Sequence, residues 1–293
     1  MWVTAPDGAR LRAALFPCHA GRGSVVLSPG RTEPIEKYYE VVDELRARGF
    51  TVLVHDWRGQ GLSARMLKDR RRGHATGAAV FLADFNTVIE AHQNLLPKPW
   101  VALGHSMGGG LTALALVEGE SRFAAAALSS PMLGVNLAGR PASLVLGLSG
   151  LLVRLGLGHL YIPAWSDPLE LPFEVGKLSH DEVRWNRFRG QMLACPDLRL
   201  GGATWGWVEF ALKLSAEIQK PGAVEALTTP MVLFLAKEEA LVDNNLIRDF
   251  ARRAPYGTLV ELEKARHELF METDAVRDTL WAAFDALLEQ AAV

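Results

Sequence analysis

The run Trp100 to Leu103 (WVAL) enters Gly104-His105-Ser106-Met107-Gly108 without a break, and Leu111 to Glu118 beyond it has helical composition. A short buried strand that turns straight into a helix around a serine is a demanding piece of backbone. The serine must take strained angles to present its hydroxyl, and side chains two positions to either side would clash, so glycines stand there. Gly109 and Gly110 add room for the helix to pack close to the strand. A glycine-rich turn with a bystander serine is the plainer alternative, and the strand before and helix after weigh against it.

The rest of the chain has the rhythm such a turn needs. Short apolar runs alternate with helical patterns, the signature of a parallel sheet with crossover helices. Arg10 to Phe16 alternates like an early antiparallel strand, and Ser24 to Leu27 is a short buried strand ending at Ser28-Pro29-Gly30. Tyr38 to Arg48 is an amphipathic helix closed by Gly49. Strands follow at Phe50 to Val54, Phe123 to Leu128, Met231 to Leu235 and Thr258 to Leu262. Helices are expected at Val80 to Gln93, Asn244 to Arg253 and Asp274 to Gln290. Between Met132 and Val224 the alternation fails. A stretch of that length is an inserted subdomain rather than a loop. The expected architecture is a core of residues 1–131 and 225–293, with an inserted, mainly helical cap over 132–224.

Composition removes several function classes. Of 293 residues, 49% are hydrophobic and 22% charged, the balance of a globular protein with a large core. With 31 basic and 33 acidic residues the net charge is −2, which offers no general attraction for nucleic acid or anionic lipid. Cys18 and Cys195 cannot make a framework of bridges, and two thiols at unrelated positions fit a reducing, cytoplasmic setting. The start, MWVTAPDGARLR, lacks the basic-then-apolar pattern of a signal peptide. The most apolar segment, Leu144 to Leu160, holds Arg154 and four glycines, so stable membrane insertion is not expected. No G-x-x-x-x-G-K-[ST], no H-E-x-x-H and no complete G-x-G-x-x-G in strand–helix context occurs, and no metal or cofactor is expected.

A serine nucleophile needs a base, and the acid that orients it comes between them in chain order. Of eight histidines, His267 follows the last strand. His159 and His180 fall in the insertion and are worse placed. After the strand Met231 to Leu235, three carboxylates compete for the acid: spacing favours Glu239, at the first turn after the strand, with Asp243, four residues on, as the reserve and Glu238 behind both. Asp243 has a rival role as cap of the helix starting at Asn244. The developing oxyanion calls for two main-chain N–H donors, expected from Met107 and from Arg31 in the loop after Ser24 to Leu27.

At these residues the chain resembles the α/β-hydrolase superfamily. It is similar above all to the bacterial lysophospholipase and monoacylglycerol lipase group of serine aminopeptidase S33-type hydrolases. The resemblance is carried by Pro29-Gly30-Arg31-Thr32-Glu33, Asp56-Trp57-Arg58-Gly59-Gln60-Gly61-Leu62-Ser63, Gly104 to Gly109, Val242-Asp243-Asn244 and Arg266-His267-Glu268. It implies ester hydrolysis on single-chain lipids under a cap that covers the acyl pocket, with at most transient contact with a membrane surface. There are two departures. The group often has His-Gly where this chain has Pro29-Gly30, and more often Asp where this chain has Glu239; the second keeps Asp243 open. A general carboxylesterase and a non-catalytic lipid-binding homologue are the other readings.

Three further features are less specific. His55-Asp56 resembles a second catalytic pair, but Asp56 and Arg58 are expected to organise the loop beside the serine. Lys68 with Arg70-Arg71-Arg72 is a solvated loop or a phosphate-attracting rim. Trp165, Trp185, Trp205 and Trp207 are expected in the core of the insertion, and with the leucine-rich stretch they suggest an apolar cavity.

Overall fold

The computed structural model describes residues 1–163, 173 and 178–293. Eight strands form one sheet: β1 (Trp2–Thr4), β2 (Arg10–Phe16), β3 (Gly23–Ser28), β4 (Phe50–His55), β5 (Trp100–His105), β6 (Phe123–Ser129), β7 (Met231–Ala236) and β8 (Gly257–Leu262). Their spatial order is β1-β2-β4-β3-β5-β6-β7-β8. β1 pairs antiparallel with β2 and β2 with β4, and every later pairing is parallel. This is the α/β-hydrolase fold that the resemblance implied. β1 escaped the sequence reading because three residues are too few for a periodicity.

Parallel neighbours require crossovers, and the helices supply them. They are α1 (Tyr39–Ala47, entered through a 3-10 turn), α2 (Ala78–His92), α3 (Ser106–Val117) and α7 (Asn244–Arg253), while α8 (Asp274–Gln290) follows β8. α1 and α8 bury Val41, Leu45, Leu280 and Phe284 against one face of the sheet. α2, α3 and α7 bury Phe81, Leu111 and Phe250 against the other. Successive residues of β3 serve opposite layers, Val25 and Leu27 the first and Val26 the second, as the two-residue period of a strand demands.

Between β6 and β7 lie α4 (Ala142–Arg154), α5 (Glu182–Ala194) and α6 (Trp205–Ile218). α6 carries Phe210, Ala211, Leu214 and Ile218 into the core beside α3. α4 rests on α6 and buries only Ser149, while Leu144, Leu148, Leu151 and Leu155 stay exposed along one stripe. Among the described residues no helix is long and apolar enough to cross a membrane. Trp185 is buried, and the Arg31 guanidinium lies 5.1 Å from the centre of the Trp207 ring; Trp165 lies outside the described residues.

Candidate active site

The sheet brings the site together at the carboxyl ends of its strands. Leu27 pairs with Leu103 and Ser28 with Gly104, so the loop after β3 and the turn after β5 leave the sheet side by side. Ser106 opens α3 with φ +51°, in the left-handed region that costs a non-glycine residue of order 1–3 kcal/mol. The glycines around it answer to close approach. A Cβ on Gly108 would lie 2.2 Å from the Ser28 carbonyl oxygen, and one on Gly104 would lie 2.8 Å from the Gly109 Cα. The helix start is thus pressed onto β3, which is why a helix with three consecutive glycines survives its poor propensity.

His267 follows β8, and its Nε2 lies 2.8 Å from Ser106 Oγ. Its Nδ1 lies 2.7 Å from Glu239 Oε2, in the loop after β7. The other oxygen of Glu239 accepts main-chain N–H groups from Ala240, Leu241 and Val242 at 2.9, 2.6 and 3.3 Å. Asp243 instead caps α7, accepting the Asn245 N–H at 2.9 Å. Glu238 turns away toward His180. Of the three carboxylates, Glu239 is therefore the one hydrogen-bonded to His267. Burial works against the charged imidazole of His267, but the charge and hydrogen bond of Glu239, joined by Glu268 and Glu33, outweigh it and hold its pKa above the ordinary value. Burial would lift Glu239, and the pairing with His267 and the main-chain N–H groups bring it below the usual carboxylate range.

A buried polar network that the sequence reading did not assign lies beside these groups. Glu33 accepts the Gly30 N–H at 2.6 Å and the Tyr38 hydroxyl at 2.5 Å. The Lys37 ammonium sits 2.7 Å from Glu33 and 2.6 Å from Glu268, and 4.6 Å from the centre of the Phe188 ring of α5. Lys37 thus joins the loop after β3, the loop of His267 and a helix of the insertion. Burial pulls the Lys37 pKa down, but the two carboxylates prevail and it lies above the ordinary lysine value. Burial pushes His105 down to about 4, so this ring is neutral under the Ser106 turn. The only sequence signal for the network was the i, i+4 spacing of Glu33 and Lys37, which does not reveal burial.

The Asp56 to Ser63 loop organises the same region, as expected. Asp56 accepts the Ile35 and Leu62 N–H groups at 2.9 and 2.8 Å and pairs with Arg12 at 2.6 Å. The Trp57 indole donates to Pro29 O and the Gln60 amide to Gly30 O. Arg58 pairs with Asp84. The Arg31 side chain is no solvated charge: it donates to Gly201 O at 2.6 Å. The Lys68 to Arg72 run also meets the insertion, where Arg72 donates to His159 O and the Arg71 carbonyl accepts the Gly201 N–H. A cleft of about 540 Å³ lies on the far side of Glu239, lined by Asn136, Arg140, Ser215 and Asp243 among others, but Ser106 and His267 do not line it.

Residues 19–274 match the family model described as Hydrolase_4, serine aminopeptidase S33. The chain belongs to this family. It is 31% identical to lysophospholipase L2 of Escherichia coli K12 over 287 residues, covering 94% of this chain and 82% of that protein. It is 25% identical to human monoglyceride lipase, covering 94% and 84% of the two chains. A soluble variant of Saccharomyces cerevisiae monoglyceride lipase, solved with a substrate analog, superposes with a TM-score of 0.79 at 18% identity, covering 99% of this chain and 94% of that one.

Proposed function

We propose that this S33 hydrolase cleaves carboxylic esters of single-chain lipids, lysophospholipids foremost, through an acyl-enzyme on Ser106. The observation that carries the reading is the continuous hydrogen-bonded relay from Ser106 Oγ through His267 to Glu239. The similarity to lysophospholipase L2 favours the lysophospholipid over other esters.

In this mechanism His267 Nε2 takes the Ser106 proton as Oγ attacks the ester carbonyl. Glu239 holds the Nδ1–H and stabilises the imidazolium. Main-chain N–H groups of Met107 and Arg31 receive the oxyanion. The tetrahedral intermediate collapses as His267 returns the proton to the departing alcohol, leaving the acyl group on Ser106. A water, deprotonated by the same imidazole, then attacks the acyl carbonyl, and the fatty acid leaves as Ser106 regains its proton. Glu33, Trp57 and Gln60 brace the Pro29 to Arg31 loop through the Gly30 N–H and the Pro29 and Gly30 carbonyls, which supports this reading.

The insertion, residues 132–224, serves as the cap in this reading. The exposed leucine stripe of α4, with Arg140 and Arg154 at its ends, suits transient contact with a lipid surface from which a single chain is drawn. A monoacylglycerol substrate is the second reading, favoured by the similarity to human monoglyceride lipase.

Fatty-acid release from lysophosphatidylcholine and from a monoacylglycerol, measured side by side with Ser106→Ala as control, tests the proposal. Serine-dependent release that favours the phospholipid is expected. Preference for the monoacylglycerol selects the second reading. Release that persists in Ser106→Ala, or failure of a fluorophosphonate to label the wild-type protein, refutes both.

A further inference from the structure

Gln60 stands between two glycines in the left-handed region, Gly59 at φ +89° and Gly61 at φ +51°. A Cβ on Gly61 would lie 2.1 Å from Asp56 Cγ, so the turn admits no side chain there. The Gln60 N–H donates to Trp57 O at 3.0 Å, and its carbonyl accepts the Ser63 N–H at 3.1 Å. The backbone of Gln60 is thereby fixed, and its buried side chain reaches the loop after β3.

There its carboxamide makes two bonds, one to either side of Arg31. Nε2 donates to Gly30 O at 2.9 Å, and Oε1 accepts the Thr32 N–H at 3.1 Å. A carbonyl faces one end of the amide and an N–H the other, so these partners dictate which way round it sits. Each bond grips a different peptide unit. The Gly30–Arg31 unit is held by its carbonyl oxygen. The Arg31–Thr32 unit is held by its N–H and again by its carbonyl, which accepts Thr32 Oγ1 at 2.5 Å. Peptide units are planar and trans, so the Arg31 N–H points opposite to Gly30 O, away from Gln60. With both flanking planes held, φ and ψ of Arg31 are set. Thr32 takes φ +68° in this arrangement, a strained value for a β-branched residue.

A peptide unit that follows a glycine turns easily when it is not gripped. Opposite rotations about Gly30 ψ and Arg31 φ swing the plane between the two Cα atoms and leave both in place. Glu33 on the Gly30 N–H and Trp57 on Pro29 O hold the unit before, and the bond from the Arg31 guanidinium to Gly201 O holds the side chain. Gln60 holds the plane between them through Gly30 O.

We propose that Gln60 is a positioning residue for the oxyanion: its carboxamide fixes the Gly30–Arg31 peptide plane so that the Arg31 N–H faces the oxygen that becomes negative when Ser106 attacks. This rests on the reading of Ser106 as nucleophile and of the Arg31 N–H as one of the two donors. A plane swung the other way would present the Gly30 carbonyl oxygen to the developing charge in place of a donor. The donor is needed when the charge forms and hardly before, which places the effect in kcat rather than KM.

The test measures kcat and KM for a soluble chromogenic acyl ester in the wild type and Gln60→Met, with active sites counted by fluorophosphonate labelling taken to completion. Methionine fills the same space and makes neither bond. Removing one oxyanion donor outright lowers kcat by about a hundred- to a thousandfold. Loosening one should lower it by about ten- to a hundredfold, with KM within about threefold. Two inhibitors separate this from general damage to the site. With an alkyl trifluoromethyl ketone, Ser106 Oγ adds to the carbonyl carbon, His267 takes the proton and the carbonyl oxygen becomes an oxyanion. Its Ki should rise by the factor that kcat loses. A fatty alcohol of the same length forms no oxyanion, and its Ki should stay within about threefold. Unchanged kcat, a loss carried by KM, or equal weakening of both inhibitors overturns the proposal. A crystal structure of Gln60→Met reads the plane without catalysis: the Gly30 carbonyl is expected swung over or split between two orientations, and a single wild-type orientation overturns the proposal. Gln60→Asn, one methylene too short to span both partners, gives the same readings where methionine does not fold. Absence of Ser106-dependent turnover in the wild type would instead count against the functional reading, and the orientation of the plane would still decide whether Gln60 fixes it.

Discussion

Replacing Glu239 by Gln separates the proposed acid from every other carboxylate nearby, because the structure dictates how the new amide must sit. The site of Oε1 faces three N–H donors, from Ala240, Leu241 and Val242, so only the amide oxygen fits there. The NH₂ is then forced into the place of Oε2, 2.7 Å from His267 Nδ1. Nδ1 must become the acceptor, which leaves the ring proton on Nε2, pointing at Ser106. Such an imidazole cannot take the serine proton. The inversion of tautomer costs about ten-thousand-fold in kcat in a serine triad, which is about 5.5 kcal/mol of transition-state stabilisation. Glu239→Asp is a different perturbation. Losing one methylene withdraws the carboxylate by about 1.5 Å, but the tautomer stays correct, and a misplacement of that order costs about a hundredfold. Asp243→Asn keeps a good helix cap and should change kcat by less than about twofold. Steady-state hydrolysis of a soluble chromogenic acyl ester, corrected for active-site content by fluorophosphonate titration, ranks the three. The reasoning is refuted if Glu239→Asp is as damaged as Glu239→Gln, or if Asp243→Asn loses more than either.

Other expected outcomes follow from the same geometry. Because pairing with Glu239 holds the His267 pKa above 6.5, kcat/KM should rise with pH along an acidic limb centred above that value; a rate flat from pH 5 to 9 would count against a histidine base. The linked stability has a definite window. The His267 contribution is complete below its unfolded pKa and is lost as pH rises through the raised one, while that of Glu239 is complete above its unfolded pKa and is lost as pH falls through the depressed one. The stability gap between wild type and Glu239→Gln in urea titrations should therefore be widest between about pH 4.5 and 6.5. Lys37→Met leaves Glu33 and Glu268 buried without their shared cation and should destabilise by about 3–5 kcal/mol, visible as a lowered Tm; an unchanged Tm would deny the network its charge. Gly108→Ala drives a methyl into the Ser28 carbonyl and should abolish fluorophosphonate labelling before it abolishes folding, read as lost labelling with far-UV circular dichroism retained.

Much of the core was legible in the sequence because most strands are bounded apolar runs, and Ser106, Glu239 and His267 follow the ends of β5, β7 and β8 in chain order. α3 was read as starting at Leu111, five residues late, because Gly108 to Gly110 argue locally against a helix. The close approach of α3 to β3 overrides that preference, a tertiary demand that a propensity cannot register. The insertion was expected to be mainly helical, but the bounds of its helices were not legible: α4, for one, turns its leucines outward, so its apolar positions mark no core. Spacing after β7 already favoured Glu239 over Asp243 and Glu238, but which carboxylate turns toward His267 depends on side-chain direction, which three nearby carboxylates in one loop do not encode. Lys37 and Glu268, and His180 and Glu272, are far apart in sequence and meet only once the sheet has set the loops side by side.

The unequal burial of α4 and α6 has a consequence for recombination among such proteins. α6 cannot leave with the rest of the insertion, since Phe210, Ala211, Leu214 and Ile218 complete the layer over α3. α4, by contrast, surrenders little when exchanged. A chimera that replaces residues 137–160 and retains 204–218 keeps the host's hydrophobic layer whole, whereas a graft cut at the far end of α6 would import a foreign wall into it. The apolar layer over α3 and the exposed leucine stripe are therefore carried by adjoining but separable helices, and the seam between them lies inside the insertion.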